Sequence, residues 1–99
     1  MNDYRFFADI LEANIRDILL LLPMEFTAKQ FIDATRSLLP NEYANVLSGR
    51  SYKSLNAWIS RWYLQGLSER GQIAKVNRKQ PILTTNGNKS QNHVWEKQQ

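Results

Sequence analysis

The sequence predicts an α+β domain, mainly α with a small β-hairpin: three or four helices followed by a two- or three-stranded antiparallel sheet. Three observations predict it. Apolar residues through Leu67 recur every three or four positions, the spacing of a buried helix face. Pro23, Pro40, Gly49 and Gly71 fall between those periodic segments, where helices stop and turns form. Beyond Gly71 the pattern changes to short mixed runs, Ile73–Asn77 and Asn92–Glu96, around the turn signal Asn86-Gly87-Asn88. Ninety-nine residues leave room for one domain, 1–99.

The first helix is expected over 3–22, with Phe7, Leu11, Ile15, Ile18 and Leu22 on one face and Pro23 as its stop. Phe6, Ile10, Leu19, Leu20 and Leu21 spill beyond that stripe, so more than one side needs cover. Other helices of the domain or a second subunit can supply it. We expect a homodimer through Phe6, Ile10, Leu19 and Leu20. Met24–Phe26 reads equally as a brief strand or a linker. Thr27 opens a second helix as N-cap, with Gln30 three residues on as its capping-box partner. Phe31, Ile32, Ala34, Thr35, Leu38 and Leu39 form its inward side, and Pro40 ends it. Asn41–Leu47 supports a short extra helix, and Ser48-Gly49-Arg50 is a turn by composition.

Ser51 is the expected N-cap of a third major helix, 51–70, closed by Gly71. Leu55, Ile59, Trp62, Tyr63 and Leu67 read as its buried face. Placing Leu55, Ile59 and Trp62 inward turns Lys53, Ala57, Ser60, Arg61 and Leu64 outward. The hairpin is expected over 72–97, its two short strands joined by the polar loop Arg78–Gln91.

Charge is unevenly distributed. Residues 1–50 hold five Lys/Arg against seven Asp/Glu, a net −2, whereas residues 51–99 hold eight against two, a net +6. Such segregation suits a polyanion partner for the second half, although a lopsided balance also serves solubility. There is no cysteine, which excludes disulfides, thiolate metal sites and cysteine nucleophiles and fits a reducing cytoplasm. The longest apolar run, Ile18–Leu22, is far short of the ~20 residues that cross a bilayer. Asp3, Asp9 and Glu12 stand where a signal peptide would be basic. The expectation is a soluble cytoplasmic protein with no membrane contact. His93 is the lone histidine, the carboxylates of the first helix suit a solvated face, and no phosphate loop or serine elbow occurs. We expect no enzyme, no metal and no cofactor.

The order helix, strand, helix, turn, helix, strand, polar loop, strand resembles the winged helix-turn-helix family. Leu67-Ser68-Glu69-Arg70-Gly71-Gln72-Ile73 looks like the motif that joins the recognition helix to the wing in many bacterial and archaeal members. The resemblance spans about Phe26–Trp95. It departs from the family at Pro40–Arg50, which lengthens the turn between helices, and at the two tryptophans of the third helix. What it implies is double-stranded DNA binding and transcription regulation, with helix 51–70 in the major groove and a basic wing, 78–89, on the backbone or minor groove.

The candidate nucleic-acid-binding residues are Arg50, Lys53, Asn56, Ser60, Arg61, Arg78, Lys79 and Lys89. An asparagine suits an adenine edge, an arginine suits guanine or a phosphate, and lysines and hydroxyls suit phosphates. The plain alternative is that these side chains keep an exposed helix and loop soluble. Trp58 reads either as a base-stacking platform or, better, as core, and Trp95 as hairpin packing. The competing function is a protein–protein adaptor, or a phage or mobile-element inhibitor, on a winged-helix scaffold. The broad apolar first helix favours that alternative.

Overall fold

A computed structural model describes the backbone of residues 4–83 and 89–98, with the side chains of 4–76 and 94–98. Its order is α1 (Arg5–Leu20), β1 (Glu25–Thr27), α2 (Ala28–Leu38), α3 (Pro40–Leu47), α4 (Tyr52–Trp58), a π-helical turn (Ile59–Tyr63), α5 (Leu64–Glu69), β2 (Ile73–Leu83) and β3 (Lys89–Lys97). The described residues are mainly helical, with a three-stranded antiparallel sheet in the order β1-β3-β2. No described helix is long and apolar enough to cross a membrane.

Local chemistry starts and stops these elements. The Gln30 amide donates to Thr27 Oγ1 (3.3 Å) and the Thr27 amide donates to Gln30 Oε1 (2.8 Å), a closed capping box for α2. Ser51 Oγ accepts from the Ser54 amide at 2.9 Å and starts α4. At the far end Gly71 takes φ +79°, and the Gln72 and Gly71 amides close onto Leu67 O and Ser68 O, both at 3.0 Å. That paired closure lets the chain turn from α5 into β2. β1 settles the choice between strand and linker, because Phe26 pairs with Trp95 and Thr27 with Val94. Asp3, the expected start of the first helix, and the turn Asn86-Gly87-Asn88 lie outside the described residues.

The core lies between the helices and one face of the sheet. Phe7, Leu11 and Ile18 of α1 meet Phe31 and Ile32 of α2, Val46 of α3, and Phe26 and Trp95 of the sheet. The end of α1 carries no basic residue of its own. Lys97 of β3 supplies one, its Nζ donating to Leu19 O (3.0 Å) and Leu22 O (2.8 Å). A cation there satisfies helix carbonyls and opposes the negative end of the helix dipole.

Two expectations are corrected. The segment 51–70 is not one regular α-helix. Backbone angles stay helical from Trp58 through Leu64, but the Leu64 amide donates to Ile59 O, five residues back. One extra residue is thereby accommodated in that turn, which rotates everything beyond it. Tyr63 and Leu64 enter the core, Leu64 at 0% exposure, while Trp62 turns outward at 72%. The regular helix expected from the spacing puts Trp62 inside and Leu64 outside, the reverse of what is found.

The second correction concerns Arg78–Gln91, expected as a loop. The β2–β3 ladder resumes after a bulge, with Lys79 opposite His93, and continues to Leu83 opposite Lys89. The two-stranded ribbon therefore extends roughly 20 Å past Val76 at ~3.3 Å per residue. Pro81 sits within β2, an edge strand of the sheet, where a missing N–H is tolerated.

Candidate nucleic-acid interface

α4, the π turn and α5 form a rod whose inner side is fixed by Leu55, Ile59, Tyr63, Leu64 and Leu67. Its other side is left to solvent. Lys53 and Arg61 are exposed there, with half-buried Ala57 and Ser60 between them at helical spacing. Asn56 is half-buried, and its side-chain carbonyl is enclosed with no hydrogen-bond partner among the described residues. It must leave that position to reach a base edge.

Arg50 is committed elsewhere. Its guanidinium lies over the rings of Tyr4 (5.6 Å) and Phe6 (5.5 Å) and donates to Val46 O at 3.2 Å. Cation–π contact and a carbonyl partner make it a brace between α1 and the α3–α4 turn rather than a free phosphate ligand. Tyr4 completes the brace, its hydroxyl 2.9 Å from Ser54 Oγ and its ring 5.2 Å from Trp58. Trp58 also stacks on Tyr63 at 6.0 Å, so its indole belongs to the packing of α1 against the rod. Ser51 Oγ is already used as the cap.

A second brace holds the other end of the rod. Tyr63 donates its hydroxyl to Glu12 Oε2 at 3.1 Å, and Arg70 is ion-paired with Glu12 Oε1. Burial, reinforced by the Glu12 carboxylate, pushes the Tyr63 hydroxyl's pKa well above its ordinary value. The hydrogen bond to Glu12 raises that of Arg70. Both therefore remain donors at physiological pH. Glu12, expected on a solvated face, is instead the acceptor that ties α1 to the rod.

The ribbon begins directly after the rod. Arg78 falls in the bulge of β2, Lys79 opposite His93, and Lys89 at the first position of β3. The side chains of all four lie outside the described residues, including His93. Nearer the rod, exposed Lys75 sits over the Trp95 ring at 5.8 Å. Of the eight candidates, Lys53, Ser60 and Arg61 share one stretch of the rod, Asn56 is turned partly inward, and Arg50 is engaged. Arg78, Lys79 and Lys89 are on the ribbon.

Of the residues expected at a dimer interface, Phe6, Ile10 and Leu20 fall on one side of α1 and Leu19 on another. Ile10 and Leu19 are half-buried, packed against the chain's own core. Phe6 and Leu20 are exposed on the same side of α1, fourteen positions and about 21 Å apart at 1.5 Å per residue. Leu21 and Met24, which are exposed too, lie beyond the end of that helix with Leu20 just before them.

Comparison of the chain with protein-family models, with curated proteins and with solved structures found no match. The functional reading therefore rests on geometry and charge. Among the described residues no group of three or more His, Asp or Glu is placed to hold a metal ion. Sequence reasoning missed both braces, the Lys97 cap and the exposure of Trp62. None of these left a trace in the spacing, since a helix face of 100° or more can bury adjacent residues, as Phe31 and Ile32 of α2 do.

Proposed function

We propose that this chain is a winged helix-turn-helix domain that binds double-stranded DNA and regulates transcription. The rod 52–69 enters the major groove and the β2–β3 ribbon lies along the backbone or in the minor groove. One observation carries the reading: the strand order β1-β3-β2 launches a long two-stranded ribbon directly from the end of an exposed helical rod. Both belong to the half of the chain with net charge +6. Of the eight cations of that half, Lys53 and Arg61 on the rod and Arg78, Lys79 and Lys89 on the ribbon are those that meet the phosphates in this reading. Arg50 is not among them.

Charge reversal tests the proposal. Arg61→Glu and Lys79→Glu should each weaken duplex binding at every sequence tried and lower the salt slope by about 1, as loss of one phosphate contact does. Circular dichroism should stay unchanged, because Arg61 is exposed. Unaltered affinity in both variants would reduce the basic half to a solubilising surface.

A protein adaptor is the second reading, and the exposed apolar corner formed by Leu20, Leu21 and Met24 favours it. The same corner would serve a homodimer. Sedimentation of the wild type against Leu20→Glu distinguishes self-association at this corner from none.

A further inference from the structure

We propose that Trp62 is a base-stacking platform, and that the preferred ligand of the rod is nucleic acid in which duplex gives way to single strand. The inference rests on the reading that this face binds nucleic acid. Trp62 is 72% exposed in the middle of the rod, while its aromatic neighbours Trp58 and Tyr63 are packed into the braces. The π turn is what turns it outward. An α-helical register would point that position at the core, so the extra residue both seats Leu64 and presents an indole to solvent. π-helical insertions are rare and occur frequently at functional sites.

The chemistry around the indole selects the partner. Arg61 is its exposed neighbour in sequence, Lys53 lies along the same rod, and the ribbon that follows carries Arg78 and Lys79. A bare aromatic face on a rod that also carries exposed cations suits a polyanion whose own units have aromatic faces. In an intact duplex those faces are stacked on one another and only base edges line the groove. An unpaired base at the end of a duplex offers the face that the indole can cover. The rod's cations then hold the adjoining phosphates.

The full chain is titrated into a short blunt labelled duplex and into the same duplex bearing a single-stranded overhang. Anisotropy and tryptophan emission are recorded for wild type, Trp62→Ala and Trp62→Phe. Wild type should bind the overhang DNA roughly tenfold more tightly than the blunt duplex, the value of one stacked base. Its emission should be quenched only by the overhang DNA. Trp62→Ala should bind both at the blunt-duplex affinity, and Trp62→Phe should keep part of the preference without the quench. Equal wild-type affinities, or an equal loss on both DNAs in Trp62→Ala, would overturn the stacking role and leave the DNA-binding reading standing. Binding of neither DNA at low salt would overturn both.

Discussion

Replacing Leu64 and Trp62 by alanine, one at a time, tests the π turn by its energetic consequence. Leu64 is fully buried between the rod and the core, so truncation leaves a cavity as well as losing transfer energy. The expected cost is about 2–5 kcal/mol. For a domain of this size each 1 kcal/mol lowers Tm by about 4–8 °C, so a fall of at least ~8 °C is predicted. Trp62 touches mostly water, and its removal should change stability by no more than ~0.5 kcal/mol. Alanine is also the better helix former there. A regular α-helix with Trp62 inward gives the opposite ranking, since deleting a buried tryptophan costs about 3–5 kcal/mol. Thermal and urea unfolding followed by far-ultraviolet circular dichroism measures both variants. A Trp62→Ala loss larger than that of Leu64→Ala would refute the register and the outward indole with it.

Three further outcomes follow from the same structure. Gly71→Ala meets no atom within 4 Å, so its cost is purely that of φ +79°, about 1–2 kcal/mol; Gly71→Asn should lose less, and equal stability of all three proteins in urea would contradict the paired closure. Thr27→Ala should cost about 1 kcal/mol, with a further loss from Gln30→Ala that is smaller in the double variant, since the two side chains cap α2 reciprocally. Lys97→Met keeps the aliphatic stem but removes the donors to Leu19 O and Leu22 O, and should cost about 1 kcal/mol. Hydrogen exchange should then speed up at the end of α1.

Much of the fold was legible because its signals are local. Thr27 with Gln30, Ser51 and Gly71 each mark a boundary through bonds made within a few residues, and those bonds form where the pattern placed them. The π turn was not legible, since Leu55, Ile59, Trp62 and Leu67 fit a regular helix as well as Leu55, Ile59, Leu64 and Leu67 fit an interrupted one. Core volume, not periodicity, decides between them. The outer ribbon was missed because Arg78–Leu83 and Lys89–Gln91 carry no alternation, and their pairing rests on backbone hydrogen bonds indifferent to side chains. Of the site, the exposed cations Lys53 and Arg61 were readable from helical spacing. Arg50 was not, because its partners Tyr4 and Phe6 come from more than forty positions away.

The central claim, that the rod and ribbon bind duplex DNA through their cations, is tested most directly by anisotropy of a labelled random duplex across a salt series. If Lys53, Arg61, Arg78, Lys79 and Lys89 all reach phosphates, log affinity should fall against log salt with a slope of about −4.5, at 0.9 per phosphate. Failure to bind even at low salt, or an affinity indifferent to salt, would contradict the account and turn the search toward a protein partner.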